Sequence, residues 1–309
     1  MPDLHTELCP DLVGRLACPV CAAPMRVSDG GGSLLCGGDP ATGRAHCFDG
    51  AASGYLPLAP RHVGGGDSKE AVRARTAFLS GGYYAPAAEA VVRAVAAYTP
   101  AGGFVLDAGC GEGYYSNRIL ARGYRVMGVD LSKFAVETAA KSARAARRHA
   151  GQDAQDAQDA QAGQAEATSL YAVGSVFELP VREGSFDTVT NIFAPCAPAE
   201  YARVLRSGGH LVVVGAGERH LLGLKALLYD DPYLNDPRRD LPEEGDGFSL
   251  VDVDRISYTT KVRGGEHIAA LFSMTPYYWR TPRDSRERLA SVEELETEVA
   301  FDIHVYQKH

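Results

Sequence analysis

The run FVLDAGCGEGYYSNRILARGYRVMGVD, Phe104 to Asp130, decides the fold. Its apolar start, Phe104-Val105-Leu106, ends in Asp107 and reads as a strand. Gly109, Gly111 and Gly113 follow at alternating positions, a helix opens at Tyr114, and a second apolar strand, Tyr124 to Val129, ends in Asp130. Strand, glycine turn, helix, strand, acid is the first half of a nucleotide-binding α/β sheet. The glycines let the backbone turn tightly and approach a ligand where a Cβ would collide. The acid at the tip of the second strand can accept hydrogen bonds from both hydroxyls of a ribose.

The spacing chooses between cofactors. A dinucleotide turn has G-x-G-x-x-G and presents helix N-terminal amides to a pyrophosphate. Here the third glycine comes one residue early and Glu112 lies inside the turn. A carboxylate there repels a pyrophosphate but suits a ligand carrying an ammonium and a sulfonium. The pattern D-x-G-x-G-x-G resembles that of S-adenosylmethionine (SAM) methyltransferases. The resemblance implies cofactor contacts at Asp107, Gly109, Gly111, Glu112, Gly113, Tyr115, Asp130, Leu131, Ser175, Val176 and Asn191.

The chain has 309 residues, room for one large α/β domain and something smaller. No apolar run approaches the roughly 20 residues of a membrane span, and no basic stretch leads into an apolar core at the N-terminus. Four of the seven cysteines fall between Cys18 and Cys47. That clustering suits a metal in a reducing compartment better than a disulfide framework, so a cytoplasmic protein without a membrane partner is expected. The net charge of −8 argues against non-specific nucleic-acid binding, though a local basic face can still hold RNA.

Residues 1–58 are expected to form a small zinc-binding unit. Cys18-x-x-Cys21 is a turn that brings two thiolates to one tetrahedral ion, and Cys36 follows an apolar pair on the second arm of a hairpin. His46 or Cys47 is the fourth ligand; adjacent side chains diverge in extended chain, so both do not serve one ion. A unit this short and glycine-rich has too little apolar surface to fold alone, and metal would supply much of its stability. Residues 59–98 read as a glycine-rich connector and two helices broken at Gly81-Gly82, with Pro86 opening the second. Arg73 and Arg75 are either solvated helix charges or an RNA-facing pair.

Residues 99–309 carry the main sheet. A helix runs over 132–149 with Ser132 as its N-cap, and the triplet repeat at 151–167 is expected to be a disordered insertion. Ser169–Val173 and Phe186–Phe193 are the third and fourth strands. Ser175 and Val176 stand where the adenine would rest. A helix over 198–206 ends at Ser207-Gly208-Gly209, His210–Val214 is the fifth strand, and a helix over 219–228 follows. Residues 250–260 and 300–307 alternate as the last two strands. Ligands in open parallel sheets bind beyond the strand C-termini, which makes Asn191 to Cys196 the place where the target atom meets the methyl group. Asn191, Pro195 and His220 are the expected catalytic positions.

The whole chain resembles the RlmA-type 23S rRNA (guanine-N1) methyltransferases. The resemblance rests on Cys18-x-x-Cys21…Cys36…His46-x-Phe48-Asp49, on Asp107 through Tyr115, on Phe193-Ala194-Pro195-Cys196, on Arg219-His220-Leu221 and on Met274-Thr275-Pro276-x-x-Trp279. It implies an α/β fold, a Rossmann-like class I SAM methyltransferase sheet behind an N-terminal zinc ribbon, with zinc on Cys18, Cys21, Cys36 and His46. It also implies SAM as cofactor, a homodimer, and methylation of a guanine N1 in helix 35, a 23S rRNA hairpin. One subgroup of the family is associated with macrolide (tylosin) resistance. Trp279 and Arg280 would close the site. The nine-residue spacer between Cys36 and His46 and the triplet repeat depart from the family pattern.

Guanine N1 is protonated at neutral pH, so the chemistry demands in-line alignment of N1, methyl carbon and sulfur and an exit for the proton. His220 can accept that proton or hold a phosphate; Arg219 and Lys225 can hold phosphates; Asn191 can read the guanine edge; Phe193 or Tyr115 can stack the base. Two other readings share these features. One is a SAM enzyme for a small molecule, favoured by the acidic balance; the other is a non-catalytic zinc-module RNA-binding protein, opposed by the complete acid–glycine set.

Overall fold

The computed structural model describes residues 9–59, 65–156, 168–243, 245–279 and 281–309. Within them an eight-stranded sheet runs, from one edge to the other, through Phe248–Arg263 (β10), Glu294–Lys308 (β11), Leu205–Ala216 (β9), Phe186–Ile192 (β8), Phe104–Ala108 (β5), Arg125–Asp130 (β6), Ser169–Val173 (β7) and Tyr55–Pro57 (β4). Its centre is parallel: β5 (Phe104–Ala108) lies between β6 (Arg125–Asp130) and β8 (Phe186–Ile192), with β7 (Ser169–Val173) beyond β6. These strands are buried on both faces, as strands covered on either side are, and β8 carries the buried polar residues Thr188, Thr190 and Asn191. On one face Phe78, Val91, Ile119, Val136 and Phe301 form the core; on the other Leu12, Leu34, Leu106, Leu170 and Phe186 do.

The two connector helices fall where expected. α2 (Lys69–Ser80) is capped by Ser68, whose side chain accepts from the Ala71 amide, and α3 (Ala85–Tyr98) carries its proline in the first turn. The short α1 (Pro10–Val13) precedes them. After the glycine turn comes α4 (Tyr114–Leu120), and after Asp130 comes α5 (Lys133–Asp156), with the Ser132 Oγ accepting from the Ala135 amide at 3.3 Å. α5 therefore runs six residues into the repeat expected to be structureless; the rest of that insertion, 157–167, lies outside the described residues.

Three expectations are corrected. The helix before β9, α6, covers only Pro198–Val204, and β9 spans Leu205–Ala216. Ser207-Gly208-Gly209 is thus no helix terminus but an irregularity inside the strand, where pairing jumps from Phe186↔Leu205 to Thr188↔His210 and Gly208 takes φ 69°. The next helix, α7, begins at Leu222, leaving Arg219 and His220 in the preceding turn. The last two strands, β10 (Phe248–Arg263) and β11 (Glu294–Lys308), are longer than their alternation suggested and enclose α8 (Gly265–Ser273) and α9 (Arg283–Ala290).

The N-terminal unit is not separable at residue 58. β1 (Met25–Val27), β2 (Ser33–Cys36) and β3 (Cys47–Asp49) form an antiparallel ribbon, but β4 (Tyr55–Pro57) leaves it and pairs in parallel with β7. Leu16 also bridges Val181. Among the described residues no helix is long and apolar enough to cross a membrane.

Candidate active site and metal centre

The glycine turn after β5 is built by close approach. Gly109, Gly111 and Gly113 all have positive φ (87°, 54° and 82°), and a Cβ on Gly109 would collide with that of Ala194. The turn is thereby pressed against the loop after β8. Asp107 is buried beneath it and accepts hydrogen bonds from Ser116 and from Thr190 (2.9 Å); burial pushes its acid up to about 6. Its carboxylate ties α4 and β8 together beneath the turn.

Asp130 stands at the tip of β6. Its Oδ2 accepts from the Gly111 amide at 3.0 Å and its Oδ1 from the Ser132 amide at 2.8 Å. Burial raises this acid, and the two amides oppose that shift. Glu112 is buried as well, and its Oε2 accepts no hydrogen bond although Arg75 Nη1 lies 3.5 Å away. Burial raises Glu112 and Arg75 opposes the shift. A buried carboxylate oxygen without a donor beside a positive-φ glycine cradle fits a cationic group of the ligand. Leu131 is half-buried, its side chain 3.3 Å from where a Cβ on Gly65 would stand; Ser175 and Val176 are half-buried beyond β7, and the Ser175 Oγ accepts from the Phe177 amide at 3.2 Å. Tyr115 packs edge-on against Tyr114 at 5.1 Å.

At the end of β8, Asn191 is buried. Its side-chain NH2 donates to the Pro195 carbonyl (3.0 Å) and to the Tyr201 hydroxyl oxygen (2.9 Å), so it fixes the loop's shape. Pro195 is exposed at the rim. Phe193 is 47% exposed and sits at φ 51°, a conformation that strains a non-glycine residue and recurs at functional sites.

His220 is inside. Its Nδ1 accepts from the Ala300 amide at 3.2 Å, its Nε2 faces the Tyr84 hydroxyl at 3.2 Å, and burial brings its pKa down to about 3. With both nitrogens engaged it offers no free base or phosphate contact; it stacks beneath Phe193 and packs edge-on against Phe301. Lys225 is also redirected: it is fully buried and donates to Tyr233 O (2.8 Å) and Asn235 Oδ1 (2.7 Å). Arg219 pairs with Glu298 at 2.9 Å. Trp279 ends a short 3-10 helix, Pro276–Trp279, and Arg280 lies outside the described residues. Sequence reasoning missed the supports Thr190, Tyr84 and Phe301, whose partners are far along the chain and leave no local signature, and Ser116, whose partner Asp107 lies nine residues back.

The metal-type cluster is assembled. The ligand atoms of Cys18, Cys21, Cys36 and His46 lie within 4.8 Å of one another. His46 Nδ1 is 3.6 Å from both Cys18 Sγ and Cys36 Sγ, and Cys21 Sγ is 3.8 Å from Cys36 Sγ. A tetrahedral zinc with bonds of about 2.3 Å to sulfur and about 2.0–2.1 Å to nitrogen needs S–S edges of roughly 3.8 Å and S–N edges of roughly 3.6 Å. The donor set fits. Burial opposes the Cys36 thiolate, but amides of His46 and Gly38 bring it down to about 7. Cys47 is exposed and outside the cluster.

The mixed sheet with its parallel centre and acid-lined glycine turn defines a methyltransferase of the Rossmann-like class, and residues 106–213 match the family described as methyltransferase domain. A 23S rRNA (guanine(748)-N(1))-methyltransferase of Streptomyces fradiae is 31% identical over 306 residues, 95% of this chain and 97% of that protein. The protein YxjB of Bacillus subtilis strain 168, named as a candidate 23S rRNA (guanine-N(1)-)-methyltransferase, is 27% identical over 94% of this chain and 96% of its own. The chain belongs to the family of 23S rRNA (guanine-N1)-methyltransferases.

Proposed function

We propose that the protein transfers a methyl group from SAM to N1 of a guanine in the helix 35 hairpin of 23S rRNA. The observation that carries this reading is the pairing of an acid-lined glycine cradle with an exposed, strained aromatic, Phe193, one loop away. Bound SAM supplies an electrophilic methyl on a sulfonium. Glu112 and Asp130 supply negative charge where its ammonium and ribose hydroxyls would lie. Gly109, Gly111 and Gly113 let the backbone approach it, with Tyr115, Leu131, Ser175 and Val176 lining the remainder.

The protein's part is positioning. An unstacked guanine lies on the Phe193 ring, which His220 supports from below. Asn191 and Tyr201 hold the Pro195 carbonyl so that the rim keeps one shape. Holding N1 in line with the methyl carbon is worth more than a dedicated base, because near-attack geometry replaces lost translational and rotational freedom. Zinc on Cys18, Cys21, Cys36 and His46 locks the ribbon as an RNA-gripping module. Two copies acting together in the cytoplasm, with macrolide resistance as one consequence, complete the reading.

The test is primer extension on protein-free 23S rRNA incubated with the purified protein and SAM. N1 methylation blocks base pairing, so a new reverse-transcriptase stop is expected at one guanine of helix 35. RNA that gives the same stops with and without SAM overturns the reading.

A further inference from the structure

Arg75 lies outside the matched methyltransferase domain, on α2, and its side chain does not turn toward solvent as a helix charge would. It is only 25% exposed and reaches over the glycine turn. Its Nη1 is 3.5 Å from Glu112 Oε2 and would stand 3.4 Å from a Cβ placed on Gly111; its Nη2 bonds Asp67. The connector that carries Asp67 is fastened to the tip of β6, because the Ser132 Oγ donates to the Asp67 carbonyl at 2.7 Å. The guanidinium thus sits where the connector, the glycine turn and the acid of β6 converge.

The charges there are unequal. Asp67, Glu112 and Asp130 face Arg75, the cation that faces both Glu112 and Asp130. An amino acid side arm brings an ammonium and a carboxylate together. The acids suit the ammonium but repel the carboxylate, so an acid-only cradle would select against the intact side arm. A guanidinium has five donors in a planar fork that matches a carboxylate, and Arg75 commits one nitrogen to Asp67 and one to a loose, 3.5 Å ion pair with Glu112.

We propose that Arg75 binds the α-carboxylate of the cofactor's amino acid arm, while the orphaned Glu112 Oε2 receives its ammonium. This rests on the SAM reading above and adds a specificity determinant to it. Arg75 distinguishes a complete amino acid arm from one that lacks its carboxylate, and it makes α2 part of the cofactor site.

The experiment is calorimetry with three ligands that share adenosine and a thioether: S-adenosylhomocysteine, its decarboxylated amine, and 5′-methylthioadenosine, which lacks the whole arm. The wild-type protein is expected to bind S-adenosylhomocysteine about 10- to 100-fold more tightly than the decarboxylated amine, as a charge-assisted bidentate contact would give. In Arg75→Met that ratio falls toward one, while affinity for 5′-methylthioadenosine stays within about twofold; Arg75→Lys keeps an intermediate ratio. A wild-type ratio near one overturns the inference without any variant. So does an Arg75→Met protein that loses affinity equally for all three ligands. No binding of S-adenosylhomocysteine by the wild-type protein would instead remove the SAM reading itself.

Discussion

The ring of Phe193 lies over the imidazole of His220, with 5.8 Å between centroids and 26° between planes. The pair joins a strained, exposed aromatic to a buried one, and Phe301 abuts both rings edge-on, 4.8 Å from Phe193 and 5.4 Å from His220. Rigid support of this kind preserves a stacking surface at φ 51°, where an unsupported residue would relax.

Replacing Phe193 with Ala should therefore lower RNA methylation about 10- to 100-fold, the loss expected for one base–aromatic stack of about 1–3 kcal/mol. S-adenosylhomocysteine affinity, read by calorimetry, should hold within about twofold. Unchanged methylation in this variant would remove Phe193 as the platform.

His220 predicts a pH dependence of stability. Its folded pKa of about 3 lies below the ordinary value, so between there and about 6.5 the unfolded chain holds a proton that the folded chain does not. Its contribution is complete above pH 6.5 and is lost as pH falls through that window, at about 1.4 kcal/mol per pH unit. Asp107 acts in the opposite sense. Raised to about 6, it holds a proton in the folded state that the unfolded chain has released above about 4, so stability falls as pH rises from 4 to 6. In urea titrations between pH 4 and 6, His220→Gln should remove about 1.4 kcal/mol per pH unit from the wild-type slope. Parallel curves would contradict the buried neutral imidazole.

The ribbon predicts one zinc per chain. Elemental analysis should find it retained in Cys47→Ser and lost in Cys36→Ser, with His46→Ala weakened, since Cys47 is exposed and outside the cluster. Chelation should lower the melting temperature, because a ribbon this short would draw much of its stability from a bound metal. Zinc lost with Cys47 would reassign the fourth ligand.

Gly109→Ala should cost about 2–4 kcal/mol, combining a left-handed backbone with a clash against Ala194. Adding Ala194→Gly should recover the clash but not the backbone strain. A double variant no more stable than the single one would show that the turn and the loop after β8 are not in contact.

Much of this arrangement is legible in the chain. The alternating glycines between two apolar runs specify the turn, and Cys18-x-x-Cys21 with Cys36 specifies three corners of the cluster. Direction is what the chain conceals. Arg73 and Arg75 are about 200° apart around a helix, so one faces inward, and nothing local says which. Lys225 reads as a surface cation because the groups that bury it, Tyr233 and Asn235, come from the loop after α7. His220 reads as a candidate base because its partners Tyr84 and Ala300 are distant in sequence. Ser207-Gly208-Gly209 mimics a helix end because a bulge and a C-cap both call for a positive φ.

Because β4 is stitched to β7 along Tyr55–Pro57, the chain leaving the cysteine ribbon forms the selvedge of the main sheet, so the ribbon is woven in at its border and not a tag sewn onto it. Removing a metal from the cysteine cluster would then loosen the border of the main sheet itself and not only the ribbon beyond it.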